Sequence, residues 1–67
     1  MIKSELLRKK IDESGYKQSF IAKSIELTPC GLRLKISNKN EFKASEIMKL
    51  SELLSISKEE RDLIFFD

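Results

Sequence analysis

Cys30, Arg33 and Leu34 are the side chains whose type and spacing invite a chemical reading of this chain. Cys30 is the one thiol, and the sequence holds no histidine to activate it as a nucleophile or to complete a usual zinc set. No glycine-rich phosphate loop is present. The acidic groupings Asp12-Glu13 and Glu59-Glu60-Asp62 read as solvated helix faces and an acid-rich helix start. Catalysis therefore has no candidate machinery, and neither a cofactor nor a metal is expected. What remains is recognition. The guanidinium of Arg33 fits the paired acceptors of guanine and equally fits phosphate, and its type does not choose between them. Leu34 suits contact with a thymine methyl, or is an ordinary exposed leucine.

These three side chains need a rigid carrier, and the segment around them predicts one. Thr28 can cap a helix, and Pro29 falls at its first position, where a missing N–H costs nothing. The helix ends near Ile36, before the polar loop Ser37-Asn38-Lys39-Asn40. At about 100° per residue, with Leu32 set at zero, Ile36 and Pro29 fall within about 60° and define an inward face. Arg33 then lies near the flank at about 100°, and Cys30 and Leu34 point outward at about 160° and 200°. Gly31 occupies the other flank, at a cost of about 1 kcal/mol relative to alanine. Close approach to DNA or to the preceding helix would account for that glycine, as would simple tolerance.

The other elements are predicted from periodicity and stop signals. A first helix runs from about Lys3 to Ser14 with Leu6, Leu7 and Ile11 on one side, and Gly15 ends it. A second spans about Gln18 to Ile25 and buries Ile21, Ala22 and Ile25. A fourth, from about Ala44 to Leu54, groups Ile47, Leu50, Leu53 and Leu54. A fifth starts at Ser57, which has the spacing of a capping box with Glu60, and contributes Leu63, Ile64 and one or both of Phe65 and Phe66. The expectation is an all-α fold, one compact five-helix domain over residues 1–67. The second and third helices are too short to stand alone, so the others must hold them. No apolar run reaches the about 18 residues of a membrane span and no signal peptide is read, so the cytoplasm is the expected location.

Charge is distributed unevenly. Residues 17–43 carry six basic side chains (Lys17, Lys23, Arg33, Lys35, Lys39, Lys43) against Glu26 and Glu41, a net of +4. Residues 44–67 carry three against six, a net of −3. The positive charge thus gathers around the second and third helices, as a phosphate-binding surface requires.

Gln18, Ala22, Leu27, Thr28 and Leu32, with Lys39, Glu41-Phe42, Ser45-Glu46-Ile47 and Ser57-Lys58-Glu59-Glu60 downstream, resemble the Cro and phage-repressor type, or XRE family, from about Leu6 to Phe65. The resemblance implies a lambda-repressor-like bundle with a helix-turn-helix formed by helices 2 and 3, the latter entering the major groove. It implies phosphate contacts from Gln18 with Lys17, base-side contacts from Thr28, Pro29, Cys30, Gly31, Arg33 and Leu34, and backbone contacts from Asn38 and Lys39. It further implies a homodimer on a palindromic double-stranded DNA operator, as in a phage or prophage repressor. Two departures stand out: Glu26 occupies the turn position where glycine is preferred, and Lys35 replaces an apolar residue whose packing Ile36 takes over. The reading positions also lack glutamine and asparagine, so DNA shape and methyl contacts should carry more of the specificity.

Some residues stay outside this account. Adjacent helical residues diverge by about 100°, so Phe65 and Phe66 should not both enter the core, and one of them with Ile64 or Leu63 is the expected dimer contact. Tyr16 and Phe20 stack on each other or face a partner. Oxidation of Cys30 would disturb a DNA-facing helix, but no resolving thiol exists. With Leu34, Phe20 and the terminal phenylalanines, the sparse hydrogen-bonding inventory of helix 3 leaves a second reading: an antirepressor-like module that binds another regulator.

Overall fold

A computed structural model describes residues 2–66, and among them every regular element is helical. The elements are α1 (Ser4–Ser14), α2 (Gln18–Ser24), α3 (Pro29–Ile36), α4 (Ala44–Leu53) and α5 (Lys58–Arg61), the last running into a π-helical turn, Asp62–Phe66. None of these helices is long and apolar enough to cross a membrane. The principal extents are 26 × 24 × 20 Å, as expected for helices wrapped around one core.

Helix starts follow local side-chain chemistry. Thr28 Oγ1 accepts from the Gly31 N–H at 3.0 Å, and Pro29 holds the first position of α3. Ser57 and Glu60 exchange hydrogen bonds at 3.2 Å in the expected capping box of α5. The Glu60 carboxylate also pairs with Lys10 of α1, which holds its carboxyl below the usual range, with help from the Ser57 N–H. At α4 the Glu46 carboxylate accepts from the Lys43 N–H at 2.8 Å.

Helix ends repeat one device. After α2, the Leu27 N–H donates to Ala22 O at 2.8 Å and the Glu26 N–H to Lys23 O at 3.2 Å, with Glu26 left-handed at φ 62°. After α3, Lys39 donates to Leu34 O at 2.9 Å and Asn38 to Lys35 O at 3.2 Å, with Asn38 at φ 65°. After α4, Ile56 donates to Ser51 O at 2.9 Å and Ser55 to Glu52 O at 3.4 Å, with Ser55 at φ 55°. Each is a paired 6→1 and 5→2 stop, and none uses glycine. Only α1 ends on the expected Gly15, at φ 75°.

The core is formed by Leu7 and Ile11, by Ile21, Ala22 and Ile25, by Leu32 and Ile36, by Ile47, Leu50 and Leu54, and by Ile56, Ile64 and Phe65. Leu6, Leu27, Phe42 and Leu53 pack against it half-buried. Two expectations need correction, and one core residue is added. Pro29 is exposed, because at the first turn it stands above the surface that buries Leu32 and Ile36. Leu63 is exposed, because the π-helical turn directs Ile64 and Phe65 inward in its place. Ile56 enters the core from a turn that carries no periodic signal.

The chain ends are stitched to the fold by polar contacts. The Asn38 amide accepts from the Ile2 N–H at 2.9 Å and donates to Ile2 O and to Ser4 Oγ, each at 3.1 Å. The Lys3 N–H donates to Ile64 O at 2.8 Å, and Ser4 Oγ donates to Ile36 O. Residues 2–4 therefore bind the end of α3 to the C-terminal turn.

Candidate functional site

Helix α3 lies between α1 and α2 on its inner side, where Leu32 and Ile36 are fully or almost fully buried. Its other side is open. Thr28, Pro29, Cys30, Arg33 and Leu34 are exposed, and Gly31 is half-buried. Leu34 is the least open of the exposed large apolar residues at 37 %. Two of these groups have tasks within the protein. The Thr28 hydroxyl caps the helix, and Gly31 serves that cap. A Cβ on Gly31 would lie 3.1 Å from Thr28 Oγ1 and would meet no atom of α2, so close packing on the preceding helix does not explain this glycine.

Around α3 the positive charge is filtered by burial. Lys35 and Glu46 form a 2.6 Å ion pair with both side chains about nine-tenths buried. Lys35 is thus a packing element between α3 and α4 and not part of the outer field. The other five cations of the basic stretch, Lys17, Lys23, Arg33, Lys39 and Lys43, are exposed. Of the two acids in that stretch, Glu26 is turned to Lys49 of α4 at 3.5 Å, and Glu41 is exposed in the loop before α4. Lys17 and Gln18 stand exposed at the start of α2, whose first turn holds no acid. α2 and α3 pack directly on each other, so these residues share a rigid pair of helices with Arg33 and Leu34.

Asn38 stands apart from the other site residues. Its side chain is half-buried and committed to Ile2 and Ser4, so it offers an outside ligand no side-chain donor. Lys39 beside it is exposed. Asn38 is a positioning residue for the loop that presents Lys39.

The expected dimer residues divide. Ile64 and Phe65 are core residues, 2 % and 7 % exposed, and Phe65 meets Phe42 edge-on at 5.6 Å. They form no surface in the folded chain, which corrects their assignment to a dimer contact. Phe66 is 65 % exposed and shares a shallow groove with Leu63, Glu59 and Asp62.

Lys35 with Glu46 was the arrangement hardest to see in the sequence. The available signal was a lysine about 60° from the inward Leu32, a place where a cation needs a carboxylate partner. Cys30 is a free, exposed thiol. Among the described residues no three His, Cys, Asp or Glu side chains are grouped as metal ligands would be.

No protein-family model, curated protein sequence or solved structure matches this chain.

Proposed function

We propose that this chain is a sequence-specific DNA-binding regulator of the Cro and phage-repressor type, in which α2 and α3 act as a helix-turn-helix. Helix α3 lies in the major groove and the protein binds a palindromic operator as a dimer. The observation that carries this reading is the sorting of residues on α2 and α3. The lysine of α3 that faces inward is neutralised by Glu46, while Lys17 and Lys23 at α2, Arg33 of α3, Lys39 in the loop after it and Lys43 at the start of α4 remain exposed.

In this arrangement Lys17, Gln18, Lys23, Lys39 and Lys43 grip phosphates, which sets register without reading sequence. Thr28, Pro29, Cys30, Gly31, Arg33 and Leu34 present the groove-facing surface. Arg33 is the only side chain there with a bidentate fork for guanine. Leu34 and Pro29 offer apolar contact to thymine methyls. With few hydrogen-bonding side chains on this face, deformability of the operator supplies the remaining discrimination.

The test is a titration of the protein into its own upstream DNA and into random duplex at two salt concentrations. Preference for the upstream DNA and a steep loss of affinity with salt are expected; no preference and no salt slope would sink the proposal. Arg33→Ala should weaken the operator by about 1–3 kcal/mol more than random DNA if the guanidinium reads a base. Equal weakening of both would place Arg33 on phosphate.

A further inference from the structure

Among the described residues, Tyr16 and Phe20 form the one aromatic pair on the surface that neither the core nor the proposed groove face uses. Their rings lie 5.1 Å apart and tilted by 45°, and they remain 43 % and 49 % exposed. Two large rings that touch and still keep nearly half their surface in water are a small apolar ridge, not an unfinished core contact. Phe20 lies on the side of α2 away from buried Ile21 and Ala22, and Tyr16 extends the ridge from the segment just before the helix.

Its borders are basic. Lys17 lies between the two rings in the chain, and Lys23 lies about 60° around the helix from Phe20. Both are exposed. Helix α2, QSFIAKS, contains no acid. The nearest carboxylates in sequence are drawn elsewhere. Glu26 faces Lys49 on α4, and Glu13 lines a groove with Lys9, Lys10 and Glu60 on the α5 side of α1.

We propose that the Tyr16–Phe20 ridge with its Lys17 and Lys23 borders docks an acidic amphipathic segment of a protein partner. The rings would receive apolar anchors spaced i, i+3 or i+4, and the lysines would receive Asp or Glu on either side of them. Aromatic anchors ringed by complementary charge are the usual makeup of an affinity-determining cluster. A duplex would use the lysines and the Tyr16 hydroxyl of this face but leave Phe20 without a role, because sugar-phosphate contacts are made through cations, hydroxyls and amides. The docking does not depend on DNA binding by α3. If α3 does bind DNA, the partner and the duplex share Lys17 and Lys23 and exclude each other, which gives a partner of this chemistry control over the regulator.

A phage-displayed library of random 16-residue peptides, selected on the folded protein without DNA, tests this directly. Selected peptides should be enriched in Asp and Glu around paired Leu, Phe or Trp. Synthesised and titrated by fluorescence anisotropy, they should lose at least tenfold in affinity against Phe20→Ser or Tyr16→Ser. They should lose as much against the Lys17→Glu, Lys23→Glu double variant, which should in turn favour the same peptides with Lys in place of their acids. Both rings are half exposed, so the serine variants should keep the wild-type helical circular dichroism; Met48→Ser, an exposed apolar residue of α4 with no part in any proposed contact, is the control that leaves peptide affinity unchanged. Peptides without acidic enrichment, or insensitive to both serine variants, overturn the proposal. So does a Phe20→Ser variant that loses duplex affinity while its peptide affinity is intact.

Discussion

The Glu46 carboxylate receives two donors of unlike kind through one oxygen, the Lys43 N–H at 2.8 Å and the Lys35 ammonium at 2.6 Å. Burial is the largest single influence on this carboxyl and pushes its pKa up; the Lys35 hydrogen bond, the Lys43 N–H and the charges of both lysines together outweigh it and hold it below the usual value. The sign of the pH effect follows. With the folded pKa depressed, the unfolded chain takes up the proton first as pH falls. The pair therefore contributes stability above the ordinary glutamate value of about 4.3, and that contribution is lost as pH falls through the folded value. Glu46→Gln should remove this part of the acid slope in urea unfolding measured across pH. At neutral pH it should cost about 3 kcal/mol, because Lys35 is left buried without its partner. Lys35→Met should also flatten the slope, since burial would then be opposed only by Lys43. If either variant keeps the wild-type acid slope, the ion pair is not its source.

The helices were legible in the sequence where a single residue sets the boundary, as Thr28-Pro29, Ser57 with Glu60, and Gly15 do. The left-handed stops at Glu26, Asn38 and Ser55 were not legible, because a non-glycine residue adopts that conformation only when the folded surroundings favour it. After α2 and α4 the favouring contact is the apolar residue that follows: Leu27 packs on the core and Ile56 enters it. This is how Ile56 escaped a search by helical periodicity. The three stops have the same backbone and should respond differently to glycine. Glu26 is exposed and its only ion pair, to Lys49, is a surface one worth little. Glu26→Gly should relieve about 1–2 kcal/mol of left-handed strain, less the added freedom of the unfolded chain, for a net gain of about 0.5–1 kcal/mol. Asn38→Gly gains less relief, because asparagine tolerates the left-handed region, and forfeits three side-chain hydrogen bonds to Ile2 and Ser4, so it should destabilise by about 1–2 kcal/mol. Urea unfolding of both variants reads the two signs; stabilisation by Asn38→Gly would show that the stitch to residues 2–4 contributes little.

Across the whole molecule, the two exposed apolar patches differ in the charge beside them. Exposed Lys17 and Lys23 accompany Tyr16 and Phe20 at α2, while Glu59 and Asp62 border the exposed Leu63 and Phe66 after α5. With Ile64 and Phe65 in the core, Leu63 and Phe66 are the apolar residues left at this end for the dimer proposed above. A two-fold contact through them brings each Glu59 and Asp62 near its own copy, since the same patch is used on both subunits, and Arg61 at 3.7 Å offsets only Asp62. Repulsion between those carboxylates is screened within about 10 Å at 0.1 M salt and within about 3 Å at 1 M. Self-association of the free protein should therefore strengthen as salt rises, while affinity for DNA should fall, each phosphate-bound cation contributing a slope of about −0.9 in log affinity against log salt. The two equilibria are separable by sedimentation of free protein and by DNA titration with protein held well above its dimerisation constant. Phe66→Ser should suppress self-association at every salt concentration with little loss of stability, because its ring is two-thirds exposed. Ile64→Ser, in the core, should instead unfold the domain. A dimer that weakens with salt in parallel with DNA binding would mean that the subunits meet through paired opposite charges elsewhere, and a mass that stays monomeric with and without DNA would remove the dimer altogether.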